Sequence, residues 1–147
     1  MYTYKSKVLS VYDGDSCRVD LDLGMGVWLH NQAIRLYGLD TCEIRGGTVE
    51  TKALGNLAKN YLQNELPEGS TALLRTYIDK RGKFGRVLAS IYKQEGDGFQ
   101  TKSLNKSLLD MRLAVAYMGQ SKDEVMAQHL ENVKYHQDLG NIPRQDI

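Results

Sequence analysis

Two short acidic clusters and a lone arginine fall between residues 13 and 43: Asp13-Gly14-Asp15, Arg35-Leu36-Tyr37-Gly38 and Leu39-Asp40-Thr41-Cys42-Glu43. A second arginine, Arg86, follows in Lys83-Phe84-Gly85-Arg86. Carboxylates beside arginines suit a pocket that holds a hard cation and a phosphate together. The carboxylate oxygens bind the ion, and the guanidiniums bind the anion that the ion polarises. Gly14 supplies a tight turn that sends Asp13 and Asp15 in different directions, and the strand that starts beside Asp15 can fix its carboxylate. Asp40 ends the third strand, through Arg35-Leu36-Tyr37-Gly38-Leu39-Asp40. Where those strands are neighbours, Asp15 and Asp40 can face one ion, and two carboxylates, a backbone carbonyl and waters suit Ca²⁺. Taken singly, each Asp-Gly cluster reads as an ordinary turn former.

The elements that must position these residues are legible from periodicity. Residues 7–12 alternate, with Val8, Ser10 and Tyr12 on one face and Lys7, Leu9 and Val11 on the other. Cys17 to Leu23 repeats with period two, and Val27 to Tyr37 returns as a third strand after Gly24-Met25-Gly26. Asp20 and Asp22 resemble the start of a calcium loop. Alternation puts both on the solvated strand face, however, and Asn31 stands where such a loop needs a bidentate Glu, so no such loop is expected. From Thr48 the period becomes helical, with Leu54, Leu57, Ala58, Tyr61 and Leu62 as the apolar stripe and Pro67 past its end. Gly55 inside this helix costs about 1 kcal/mol relative to Ala. Strands over 71–78 and 86–92 follow, then a short helix over 103–109. A last helix opens at Ser121, with Glu124 completing a capping box and Met126, Leu130 and Val133 as its apolar stripe; Gly140 and Pro143 close it. Three strands, a helix, two strands and two helices predict an α+β fold in which a five-stranded sheet closes into a small barrel.

At 147 residues the chain is expected to form one domain, 1–147, with a core that needs no disulfide. Its net charge of +1 means that attraction for a polyanion must come from local clustering. Arg75, Lys80, Arg81, Lys83 and Arg86 form one such cluster, although a solvated hairpin is the commoner meaning of a charge run. No secretory or membrane-length apolar run is visible, so the expected location is cytoplasmic, away from any membrane. Cys17 and Cys42 read as free thiols. His30, His129 and His136 lie at no spacing that makes a Cys/His metal site with them.

The segments Val11-Tyr12-Asp13-Gly14-Asp15-Ser16, Ile34 to Glu43, and Asp79 to Arg86 resemble, in order and spacing, the three signature segments of the thermonuclease (staphylococcal-nuclease-like) family. Leu130 with Asn141-Ile142 is similar to the family's closing helix and tail, so the likeness covers nearly the whole chain. The resemblance implies an OB-fold barrel with three α-helices and a Ca²⁺-dependent phosphodiesterase acting on DNA and RNA, cutting on the 5′-oxygen side to leave 3′-phosphate ends. By motif position, Asp15 and Asp40 would be side-chain metal ligands, Thr41 would offer its carbonyl, and Asp13 would stand behind them. Glu43 would activate or orient water, and Arg35 and Arg86 would bind the scissile phosphate.

This chain departs from the family pattern at two places. Cys42 stands where the family usually has proline, and a thiol is too soft to serve Ca²⁺ well. Phe84 replaces the more usual tyrosine, keeping a stacking face but losing a hydroxyl. Lys83 is a candidate phosphate contact and Tyr117 a candidate nucleotide contact, with a core aromatic as the alternative for Tyr117. The leading expectation is an active nuclease of little sequence preference, monomeric and without an obligate protein partner. The alternatives are a nucleic-acid-binding module on the same barrel without turnover, and an OB-type protein-interaction domain that leaves the acid–arginine set unused.

Overall fold

The computed structural model describes residues 2–77 and 86–144. Its elements run β1 (Thr3–Asp13), β2 (Ser16–Asp22), β3 (Trp28–Leu36), β4 (Leu39–Asp40), α1 (Val49–Glu65), β5 (Thr71–Tyr77), β6 (Arg86–Glu95), β7 (Gly98–Phe99), α2 (Leu104–Asp110), β8 (Val115–Ala116) and α3 (Lys122–Asp138). Five strands are ordered β3-β2-β1-β5-β6, and a parallel pairing of β3 with β6 closes them into a barrel. With three helices this is the expected α+β barrel. Among the described residues no helix is long and apolar enough to cross a membrane.

Alternation along the strands fills the barrel. Val8, Val19, Ile34, Leu74 and Ile91 are nearly or fully buried inside it, each burial favouring the fold by about 1.5–3 kcal/mol. The first strand departs from simple alternation. A register shift between Val8 and Ser10 inserts an extra residue against β2, so Val8 and Val11 both face the core while Ser10 and Tyr12 are exposed. The expected grouping of Val8 with Ser10 and Tyr12 therefore fails. A bulge flips the phase of the pleat, and only the partner strand reveals it.

Asp20 and Asp22 serve the β2–β3 hairpin. Asn31, at φ 54°, donates its N–H to Asp20 Oδ1 (2.8 Å), and Gly24 donates its N–H to Asp22 Oδ1 (2.8 Å). The Asn31 N–H, with help from His30, holds the Asp20 carboxyl below its ordinary value.

Helix α1 starts at a capping box in which Thr48 and Thr51 satisfy each other's backbone N–H groups. Leu54, Ala58 and Leu62 are fully buried, with Leu57 and Tyr61 partly so, as the stripe predicts. Ser103 and Ser121 cap α2 and α3 through their side-chain oxygens. The inner face of α3 differs from expectation. Met126 and Leu130 are 45% and 50% exposed, and the buried set is His129, Asn132, Val133 and His136. The cause is what α3 packs against. Residues 111–114 present backbone carbonyls, and polar side chains must meet them: Asn132 Nδ2 donates to Ala114 O (3.2 Å), and His136 Nε2 lies 3.1 and 3.0 Å from Met111 O and Arg112 O.

Candidate functional site

The two-residue turn between β1 and β2 places Asp15, and a missing side chain lets it do so. A Cβ on Gly14 would lie 2.6 Å from Ala58 Cβ and 3.2 Å from Thr41 Cγ2. Glycine here lets α1 and the Thr41 loop close directly on the turn. Asp15 then bonds to β3 through its carbonyl, which accepts from Leu36 N–H at 2.9 Å. Ser16 Oγ donates to Asp15 Oδ1 (3.0 Å), leaving Oδ2 turned to Arg35.

Gly55 acts in the same way on the second acidic cluster. A Cβ there would lie 2.5 Å from the Cys42 carbonyl oxygen. The helix backbone thus seats against the Thr41–Glu43 segment, and the cost of glycine in a helix is the cost of that approach. Thr41 and Cys42 are buried beneath it, while Glu43 is exposed. Asp40 does not end the third strand as expected: β3 stops at Leu36, a turn follows at 37–38, and Asp40 lies in β4, held from the other side because β4 pairs antiparallel with β8, Asp40 opposite Val115.

Arg35, the last residue but one of β3, lies between Ser16 of β2 and Leu88 of β6. Its Nη2 lies 3.4 Å from Asp15 Oδ2, 3.3 Å from Asp40 Oδ1 and 3.4 Å from Leu39 O. Two carboxylates thus converge on one guanidinium nitrogen. Arg86 begins β6 opposite Ala33, half-buried. Arg35, Asp40, Thr41, Glu43, Arg86 and Tyr117 all line one cavity of about 1050 Å³. Tyr117 enters it next to β8, its N–H donating to Gly38 O at 2.9 Å. Asp15 and Asp13 do not line that cavity. Asp15 is buried against Arg35, and Asp13 ends β1. Lys83 and Phe84 lie outside the described residues.

Burial, then the nearby Asp15, pushes the Asp13 carboxyl above its ordinary value, against the pull of Lys59 and Arg45. Both thiols are free, and burial pushes each up to about 12. Neither is a ready nucleophile.

Sequence reasoning missed His129. From α3 it reaches across 89 positions to put Nε2 2.8 Å from Asp40 Oδ2. A carboxylate accepts, so Nε2 donates, and Nδ1 is buried without a hydrogen-bond partner. Asp40 is therefore gripped at both oxygens, by Arg35 on Oδ1 and His129 on Oδ2. The signal that could have found His129 is the stripe His129, Asn132, Val133, His136 at i, i+3, i+4, i+7.

Among the described residues no group of three or more His, Cys, Asp or Glu side chains gathers as a metal cage. The converging pair, Asp15 and Asp40, offers only carboxylate oxygens as donors. It fits a hard cation that keeps several waters and does not fit a soft transition metal.

The family model for staphylococcal nuclease homologue matches residues 33–138. That span contains Arg35, Asp40, Thr41, Glu43, Arg86, Tyr117 and His129 and leaves Asp13 and Asp15 before it. An uncharacterized protein of Bacillus anthracis is 32% identical over 90 residues, 61% of this chain and 39% of that protein. The chain thus spans well under half the length of the relative it matches.

Proposed function

Since this chain belongs to the staphylococcal nuclease homologue family, we propose that it is a Ca²⁺-dependent phosphodiesterase. Its substrates are DNA and RNA, cut with little sequence preference on the 5′-oxygen side to leave 3′-phosphate ends. The observation that carries this reading is the convergence of Asp15 and Asp40 on Arg35 beside the cavity that Glu43 and Arg86 also line.

Asp15, Asp40 and the Thr41 carbonyl would hold the cation. When bound, it would supply Lewis-acid polarisation of a phosphoryl oxygen and neutralise two carboxylates that share the single Arg35 guanidinium. Arg35 and Arg86 bind the scissile phosphate by forked hydrogen bonds, which strengthen as charge builds on its non-bridging oxygens. Glu43, solvent-exposed at the cavity wall, takes or orients the proton of the attacking water. His129 keeps the Asp40 carboxylate in place through Oδ2. Lys83, Phe84 and Tyr117 are assigned to sugar, base or phosphate contacts outside the reacting centre.

By analogy with losing one oxyanion donor, removing either arginine raises the barrier by roughly 3–4 kcal/mol, on the order of 10²–10³ in rate. Lysine should not rescue it, since a point charge makes no fork. The test incubates supercoiled plasmid and single-stranded RNA with the protein in Ca²⁺ and in excess EGTA. Cleavage in Ca²⁺ alone, lost in Glu43→Ala and Arg35→Ala, is expected. Binding without cleavage in any ion would sink the reading and leave a nucleic-acid-binding module.

A further inference from the structure

Tyr37 and Tyr77 stack with ring centroids 4.1 Å apart and planes 15° from parallel. The barrel register sets them beside the arginines. Leu88 of β6 pairs with Arg35 across the parallel seam and with Tyr77 across the antiparallel one. Tyr37 continues β3 past its end by donating its N–H to Ala89 O at 2.9 Å. Leu36 between them is buried, and Tyr37 stands in the turn that follows β3, so Arg35 and Tyr37 reach the same cavity from adjoining positions of the chain. Arg35, Tyr37, Arg86 and Leu88 all line the cavity.

The pair is also held in place. The Asn105 Nδ2 donates to Tyr37 O (3.0 Å) and to Ala89 O (3.1 Å), pinning the backbone under the first ring. The Tyr77 hydroxyl shares a hydrogen bond with Ser90 Oγ (3.2 Å), pinning the second. Despite one covered face, Tyr37 remains 46% exposed. A ring serving only to seal the barrel end would turn its area inward. This one is braced from behind and presented to the cavity.

The geometry points to a base-stacking platform: Tyr37, backed by Tyr77, receives an unpaired nucleobase adjoining the phosphate held by Arg35 and Arg86. The ligand class is single-stranded nucleic acid. Every base has a π-face, so stacking tolerates any sequence, and a base inside a duplex has no free face to offer. Because both rings are already fixed, binding orders little side chain. The platform rests on the reading of Arg35 and Arg86 as phosphate ligands.

The test measures binding in EGTA, by fluorescence anisotropy, of a labelled eight-residue thymidine oligonucleotide and of an equally long chain of abasic tetrahydrofuran units. The phosphates are the same, and only the bases differ. The parent protein should favour the thymidine chain by roughly 5- to 100-fold. Tyr37→Phe should keep that preference. Tyr37→Ala should erase it, with abasic affinity unchanged, and Tyr37→Leu, which retains apolar bulk, should do the same. Equal binding of the two chains by the parent, including no binding of either, overturns the platform. So does a Tyr37→Ala or Tyr37→Leu loss that falls equally on both chains. The nuclease reading fails separately, if the parent discriminates between the chains yet cleaves nothing in Ca²⁺.

Discussion

Replacing Gly55 by alanine sets two effects against each other in the middle of α1. Alanine favours the helix by about 1 kcal/mol. Its Cβ, however, would lie 2.5 Å from the Cys42 carbonyl oxygen, 3.1 Å from the carbonyl carbon and 3.2 Å from Ile44 Cγ2. A comfortable carbon–oxygen contact is about 3.3 Å, so helix and loop must part by roughly 0.8 Å. The obstructing atom is backbone, and Thr41 and Cys42 are buried, so it cannot swing aside as a long side chain would. Overpacking of this kind costs about 1–3 kcal/mol, as much as the helix gains or more. The balance is a net loss of up to about 2 kcal/mol, or up to roughly 8 °C in Tm for a chain of this size. The larger effect should be on chemistry. The displaced carbonyl directly precedes Glu43, and a shift approaching 1 Å at a reacting centre can cost on the order of 10²-fold in rate. Thermal unfolding and plasmid cleavage on the same preparation measure both effects. Ile91→Val serves as control, since it loses about 0.5–1.5 kcal/mol inside the barrel at a residue that does not line the cavity; it should keep its activity well below Tm. A Gly55→Ala protein as stable and as active as the parent would refute the claim that this contact sets the loop.

His129→Leu removes the hydrogen bond to Asp40 Oδ2, and Ca²⁺ affinity measured by calorimetry should weaken on the order of 10–100-fold; unchanged affinity would reduce His129 to a packing residue. For Asp20, the folded-state carboxyl sits below its ordinary 3.8 because the Asn31 N–H and His30 favour the charged form. Its contribution is therefore present above 3.8 and lost as pH falls through the depressed value. Asp20→Ala should lower Tm at pH 7, with the deficit shrinking as a pH series descends below 3.8; a deficit that grows on acidification contradicts the assignment. Cys17 and Cys42, buried with thiols pushed up to about 12, should resist a thiol reagent at pH 8 in the native protein and react together on denaturation. Rapid labelling of native Cys42 would show that its loop opens.

The order of elements could be read along the chain because strand and helix periods are set by neighbours two, three or four positions apart. The Leu54–Leu62 stripe, the alternation of Cys17 to Leu23, and the Ser121 cap are all local in this sense. The acid–arginine set was legible for a related reason. The residues sit in short segments whose turn chemistry gives them away, and the resemblance to a known family orders those segments.

Other features were decided only by tertiary contacts. The bulge in β1 exists in relation to β2, so the swap of Val11 for Ser10 on the inner face left no mark in the strand itself. The inward face of α3 follows the carbonyls it must satisfy, which overrode the apolar pattern of Met126 and Leu130. Gly55 is unfavourable within its own helix, and only the Cys42 carbonyl packed against it supplies the reason for it. The grip of His129 on Asp40 joins residues 89 positions apart. Sequence alone thus determined which carboxylates and guanidiniums the chain carries, and most of the elements that bear them. Folding decided which of those groups meet. A side chain's type is a local property, whereas its partner is set by which backbones close on one another and which polar groups that closure leaves to be satisfied.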